Sequence, residues 1–216
     1  MVKRVVLFDV DGVLVDSLGA HLQICEDLRN AYGLNIRIPT PQEFRGIARS
    51  GRRISPMKEF FHAVGFPEDR LDEADSYYRE NFSKQYAIYR FPGIAQMLGR
   101  LHVNGVLMGL ATANVRANVE KALGDSWRLF DPRYCYTYDD ARRLTKAEAL
   151  RDVSAALNLR SDEILYVGDQ FGDVQAARDA GAEFLGVTWG WVIARSDTGF
   201  PTVDEPAAIG DFVFNE

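Results

Sequence analysis

Asp9 and Asp11 stand two residues apart in Phe8-Asp9-Val10-Asp11-Gly12-Val13, at the end of an apolar run. Val10 can turn into a core while both carboxylates face one crevice, and Gly12 permits a tight departure of the backbone. In isolation such a pair is a loop cap or a solvated turn. A second pair changes the balance. Asp169 and Asp173, in Gly168-Asp169-Gln170-Phe171-Gly172-Asp173, also follow an apolar run, and a helical turn there puts both on one side. Either of them could simply cap that helix. Four carboxylates at one crevice would repel one another without a cation. Oxygen-only ligands point to a hard ion, and Mg²⁺ suits a site that a phosphate shares.

Two further groups would complete phosphate chemistry. Thr112 ends another apolar run in Ala111-Thr112-Ala113-Asn114, offering its hydroxyl and the backbone N–H groups of Ala113 and Asn114 to phosphate oxygens. Lys146 can bring a positive charge to the same oxygens. Taken alone, the threonine reads as structural and the lysine as a solvated surface group.

For these groups to meet, several strand ends must lie at one edge of a sheet. The runs Val5-Phe8, Val106-Ala111, Tyr134-Tyr138, Ile164-Val167 and Phe184-Thr188 are mostly continuous rather than alternating, as strands buried on both faces are. Helical patterns lie between them: an Ile94, Met97, Leu98, Leu101 stripe ending at Gly105, a segment from Arg142 to Leu157, and Val174 to Ala180 before Gly181. This alternation predicts an α/β fold with a doubly wound, Rossmann-like parallel sheet. Phe200-Val203 reads as a further short strand and Glu205 to Phe212 as a last helix.

The stretch from Asp16 to Arg90 breaks the rhythm. It has no convincing strand and four helix signals. Ser17 can cap a helix carrying Leu18, Leu22, Cys25, Leu28 and Tyr32, and Thr40-Pro41-Gln42-Glu43 has the form of a capping box. Ser55-Pro56 begins a third helix, and Leu71, Ala74, Tyr78, Phe82 and Tyr86 mark a fourth. The expected organisation is a core domain of residues 1–15 and 91–216 with a helical cap domain of residues 16–90.

The chain has 216 residues, 47% hydrophobic, enough for a sizeable core, and a formal net charge of -6. That charge disfavours nucleic acid and anionic membrane surfaces as partners. Cys25 and Cys135 are far apart and fit buried thiols in a reducing compartment. Asp9 and Asp11 cut short the apolar run that follows Lys3 and Arg4, and no apolar stretch approaches the ~20 residues of a membrane span. A cytoplasmic protein acting on a small phosphate ester, as a monomer or homodimer, is expected.

The motif Asp9-Val10-Asp11-Gly12-Val13-Leu14-Val15-Asp16-Ser17, with Gly168-Asp169-x-x-x-Asp173 and Ala176-Ala177-Arg178-x-Ala180-Gly181, resembles the haloacid dehalogenase superfamily. The likeness is to its phosphatases with a helical cap, of the phosphoglycolate phosphatase and β-phosphoglucomutase-like kind, and runs from Val5 to about Gly190. It implies that Asp9 attacks phosphorus and that Asp11 protonates the leaving alkoxide, then activates water. It implies Mg²⁺ held by the Asp9 and Asp169 carboxylates and the Asp11 backbone carbonyl, with Asp173 binding metal waters or orienting Lys146. Thr112 and Lys146 would hold the transferring phosphoryl group. Two positions depart from the pattern: Ala147 stands where proline commonly follows the lysine, and Gln170 where serine or threonine is usual.

Specificity would lie in the cap. If Arg45, Arg49 and Arg52 share a helix, they fall on one face beside Arg53, and such a cluster can bind a carboxylate or second phosphate. An ordinary solvated face accounts for it equally. His21, on the first cap helix, is a further candidate for contacting substrate, or a packed histidine. A β-phosphoglucomutase-type phosphomutase and a non-catalytic phosphate-binding module are the alternative functions. The product formed from a sugar phosphate separates mutase from phosphatase.

Overall fold

Val5, Val6, Leu7 and Phe8 are each at most 2% exposed, because alternate side chains enter apolar clusters on opposite faces of one sheet. The computed structural model describes residues 5–214. Its strands are β1 (Val5–Phe8), β2 (Val15–Asp16), β3 (Tyr89–Arg90), β4 (Leu107–Ala111), β5 (Cys135–Tyr136), β6 (Ile164–Gly168), β7 (Glu183–Val187) and β8 (Thr202–Val203). Its α-helices are α1 (Leu18–Tyr32), α2 (Pro41–Arg49), α3 (Met57–Val64), α4 (Leu71–Gln85), α5 (Ile94–Val103), α6 (Arg116–Leu123), α7 (Lys146–Leu157), α8 (Phe171–Ala180) and α9 (Pro206–Phe214).

Among the described residues, six strands form a parallel sheet in the order β5-β4-β1-β6-β7-β8. Phe8 pairs with Leu110 on one side and with Val167 on the other. The residues that follow these three strands therefore emerge together. The order in which strands are added reverses at β1, to β4 and β5 on one side and to β6, β7 and β8 on the other. The crevice outside the carboxyl ends there is where open α/β sheets bind ligands. The expected doubly wound α/β core is the observed one.

Helices α1 to α4 bury their own apolar cluster, including Phe44, Phe60, Phe61, Tyr78 and Phe82, and cap the carboxyl edge of the sheet. Trp191 and Val192, which follow β7, belong to this cluster although they come from the sheet side. Among the residues between Asp16 and Arg90, the structure adds what the sequence reading lacked. β2 and β3 pair antiparallel, Val15 with Arg90 and Asp16 with Tyr89, where the chain enters and leaves the helical layer. Two-residue strands show no periodicity, so nothing in the sequence announced them.

Other boundaries move for local reasons. The helix expected from Arg142 starts at Lys146, because Thr145 and Glu148 form the capping box and Arg143 has a φ of 50° in the preceding turn. The third helix of the cap starts at Met57, after a cis Ser55-Pro56 bond. The Tyr134-Tyr138 run contributes only Cys135–Tyr136 as strand. Helix α6 was missed, although buried Val119 and Leu123 make a stripe with Val115. Cys25 and Cys135 are buried free thiols, as expected.

Gly109 shows how closely β4 approaches its neighbour. A Cβ there would overlap the Tyr134 backbone carbonyl, which cannot swing aside as a side chain can. Gly109→Ala is expected to destabilise the fold by about 1–3 kcal/mol, the usual range for overpacking. The urea unfolding midpoint checks this; an unchanged midpoint would contradict it.

Candidate active site at the sheet edge

The end of β1 sets the first group. Asp9 Oδ1 accepts from the Val10 N–H at 2.8 Å, and its other oxygen receives Lys146 Nζ at 2.7 Å. Lys146 reaches the site because the capping box places it in the first turn of α7. The same ammonium meets Asp173 Oδ1 at 2.6 Å. Asp173 Oδ2 accepts from the backbone N–H groups of Asp169 and Gln170 at 3.2 and 3.1 Å, so it also caps α8. Tyr166 Oη donates to Ala111 O at 2.9 Å and lies 3.2 Å from Asp173 Oδ1. Asp173 is thus both cap and site group.

Asp169, after β6, is fully buried. The Trp191 N–H donates to its Oδ2 at 2.6 Å, while Oδ1 has no hydrogen-bond partner among the described residues. Backbone packs closely around this carboxylate: a Cβ on Gly12 or Gly190 would overlap it, and Gly12, at φ 80°, suits glycine for that reason too.

The electrostatics are those of an acid-rich, buried site. Burial, opposed by Lys146, raises the Asp9 carboxyl to about 6. Burial, with the charges of Asp173 and Asp9, pushes Asp169 well above its ordinary value. Burial alone would lower Lys146, but Asp173 and Asp9 outweigh it and hold the ammonium well above its usual range.

Asp9, Asp169 and Asp173 each offer a ligand oxygen, all within 4.8 Å of one another. A divalent cation fits here: hard oxygen donors converge and, among the described residues, Asp169 Oδ1 is buried without a partner and the carboxylates outnumber the ammonium. The Asp11 carboxylate is not in this cluster; the ligand expected from Asp11 is its backbone carbonyl. Its Oδ1 accepts from Ser17 Oγ at 2.6 Å and its Oδ2 from Asn114 Nδ2 at 2.7 Å.

Ser17 occupies the N-cap position of α1 but makes no side-chain cap bond, because its hydroxyl goes to Asp11. Thr112 Oγ1 accepts from the Asn114 N–H at 3.2 Å. Thr112, Ala113 and Asn114 line a cavity of about 40 Å³ with Asp9, Asp11, His21 and Gln170. Lys146, Gln170 and Asp173 also line an adjoining cleft of about 550 Å³ with Arg52 and Arg53.

The cap arginines divide. Helix α2 ends at Arg49, so Arg52 is not on its face. Arg49 pairs with Asp197 at 2.9 Å and bonds the Val192 carbonyl, which ties α2 to the segment after β7. Arg45 is exposed and lines neither cavity. His21 is buried, with Nδ1 2.8 Å from Ser17 O and Nε2 3.1 Å from Tyr78 Oη, so both ring nitrogens are engaged within the protein. Tyr166, Trp191 and the Asp11 contact of Ser17 were not foreseen. Trp191 carried the one available signal, its place just beyond a strand end.

A carboxyl whose pKa rises on folding costs stability once pH passes its unfolded value. For Asp169 that value is ordinarily 3.8, so near neutral pH the charge opposes folding without a cation. Asp169→Asn is therefore expected to raise the Tm of the metal-free protein at pH 7 and to abolish any rise produced by Mg²⁺. Thermal melts with and without Mg²⁺ check both; a full Mg²⁺ response in the variant would contradict the assignment.

The comparisons with known proteins agree with this geometry. A sequence profile described as haloacid dehalogenase-like hydrolase matches residues 6–187. Phosphoglycolate phosphatase of Synechococcus elongatus is 27% identical over 188 residues, 87% of this chain and 85% of that protein. N-acetylmuramic acid 6-phosphate phosphatase of Pseudomonas putida is 27% identical over 198 residues, with 88% and 84% covered. A haloacid dehalogenase-like hydrolase from Streptococcus pneumoniae superposes with a TM-score of 0.78 at 20% identity, covering 97% of each chain. The chain belongs to the haloacid dehalogenase-like hydrolase family, and it is a phosphatase.

Proposed function

We propose that the protein is a Mg²⁺-dependent phosphatase of small phosphorylated metabolites, working through an aspartyl phosphate on Asp9. The observation that carries this is the convergence of Asp9, Lys146 and the Asp169–Asp173 pair at one buried edge, with Asp11 and Thr112 lining one cavity with Asp9. Asp9 attacks phosphorus as the ester P–O bond breaks, and Asp11 gives its proton to the departing alkoxide. Asp11 then takes a proton from the water that attacks the acyl phosphate, and the new P–O bond to water releases phosphate and restores Asp9. Lys146, the Thr112 hydroxyl and the backbone N–H of Ala113 hold the phosphoryl oxygens, where charge gathers in the transition state, whereas the Asn114 N–H is taken by Thr112 Oγ1. Asp9, Asp169 and Asp173 would hold Mg²⁺, with the Asp11 backbone carbonyl as a fourth donor. When bound, the ion offsets the negative charge of carboxylates and phosphoryl group.

A small anionic substrate suits the cavities. The 40 Å³ space suits a phosphoryl group, and the adjoining 550 Å³ cleft brings Arg52 and Arg53 beside Lys146. That these two arginines, rather than Arg45 and Arg49, meet a second anionic group is supported by their lining this cleft while Arg49 pairs with Asp197. The names of the relatives supply candidates: phosphoglycolate, and a sugar acid phosphate such as N-acetylmuramic acid 6-phosphate.

A panel of phosphorylated metabolites, assayed with Mg²⁺ for free phosphate and for isomerised product, tests the activity. Phosphate release from p-nitrophenyl phosphate and at least one carboxylate-bearing ester is expected, and Asp9→Asn is expected to abolish both. Arg53→Ala is expected to raise KM for the carboxylate-bearing ester about ten- to a hundredfold, the worth of one charged hydrogen bond, while sparing p-nitrophenyl phosphate. Isomer formation in place of phosphate would contradict the phosphatase assignment, and an unchanged KM would remove Arg53 from the substrate site.

A further inference from the structure

Asp11 is held from two sides, by Ser17 at the start of α1 and by Asn114 after β4. An asparagine amide turned end for end would aim its oxygen at Asp11 and repel it, so whatever fixes Asn114 fixes Asp11. Three groups gather at Asn114 Oδ1: the Val115 N–H at 2.8 Å, Asn118 Nδ2 at 3.0 Å and Tyr78 Oη at 3.2 Å. Val115 and Asn118 come from the sheet side. Tyr78 comes from α4, in the helical layer.

The hydrogens can be counted. The Ser17 carbonyl accepts from His21 Nδ1 at 2.8 Å, and burial lowers the pKa of His21. In the neutral ring Nδ1 then carries the hydrogen and Nε2, 3.1 Å from Tyr78 Oη, is an acceptor. The one Tyr78 hydrogen serves Nε2, and the Tyr78 hydroxyl also interacts with the Asn118 side chain, whose amide donates to Asn114 Oδ1 at 3.0 Å. A closed loop results, from Asp11 through Ser17, His21, Tyr78, Asn118 and Asn114 back to Asp11. A proton on Nε2 would turn the Tyr78 hydrogen to Asn114 Oδ1 and leave the loop joined. The Tyr78 ring is set independently, 5.5 Å from His21 and 4.6 Å from Phe82 between ring centroids. Its hydroxyl can therefore be removed without moving the ring.

We propose that Tyr78 is a positioning residue for Asp11, closing from the helical layer the hydrogen-bonded loop that aims this carboxyl at the leaving group. The proposal rests on Asp11 being the acid that protonates that group. Asp11 is then aligned only when the helical layer is seated, since Tyr78 and Ser17 move with it.

Tyr78→Phe, Asp11→Asn and wild type are to be compared on two esters. One is p-nitrophenyl phosphate, whose leaving group departs as a stable anion; the other is the alkyl phosphate turned over fastest, starting with 2-phosphoglycolate. The quantity read is the alkyl-to-aryl ratio of kcat/KM, which covers only the steps up to the phosphoenzyme and so reports proton delivery. Tyr78→Phe is expected to lower the ratio about tenfold or more and Asp11→Asn further, since an ångström of misplacement can cost ~100-fold. Tm measured in parallel shows that the variants are folded. A ratio that falls in Asp11→Asn but not in Tyr78→Phe overturns the positioning role alone. An unchanged ratio in both overturns Asp11 as the acid, and Tyr78 with it. Equal losses on the two esters in Tyr78→Phe mean a general structural effect and also overturn the proposal.

Discussion

Among the described residues, three buried carboxylates within 4.8 Å of one another face a single ammonium, that of Lys146. Much of the local architecture serves to keep that imbalance in place. Like charges at this spacing resist ionising together, which is why burial and mutual repulsion raise Asp9 and Asp169. The fold holds them by fixed backbone donors: the Val10 N–H on Asp9, the Trp191 N–H on Asp169, and the Asp169 and Gln170 N–H groups on Asp173. Such donors do not reorganise during a reaction, so charge can develop on a phosphoryl group in a site already polarised for it.

Strand order makes the gathering possible. Because β1 lies between β4 and β6, Asp9, Thr112 and Asp169 leave the sheet side by side although they are far apart in the chain. The helical layer is joined to this edge through particular residues. Trp191 gives its N–H to Asp169 and places its ring 5.4 Å from His21 and 6.0 Å from Phe60, inside the helical cluster. Tyr78 reaches the opposite way, from the helices to Asn114. The Asp169 side and the Asp11 side of the site are each tied to the layer that covers them.

What could be read from sequence follows from the range of the interactions involved. The β1 and β6 runs were legible because full burial on both faces leaves unbroken apolar segments, and the two acidic pairs were legible because each follows such a run directly. The capping box at Thr40 has a local signature and the structure contains it, whereas the one at Thr145 was not read and the helix was expected from Arg142. Ser17 shows the limit. Its position was right for a cap, yet its hydroxyl is drawn to Asp11 by a turn that no short-range rule describes. The β2–β3 pair, the Trp191 clamp and the Tyr78 contact depend on residues brought together over long separations, so one sequence carries little trace of them. Arg49 was judged by helical spacing, and a carboxylate at Asp197, 148 residues away, took it instead.

The central claim is that Asp9 carries the phosphoryl group. Acid quenching during turnover with Mg²⁺, followed by borohydride reduction and mass spectrometry of the peptide containing Asp9, tests it most directly. A reduced aspartyl phosphate at Asp9, absent without substrate, is the predicted result. Phosphate release at full rate with no acyl phosphate on Asp9, or with the phosphoryl group trapped on another residue, would contradict the account.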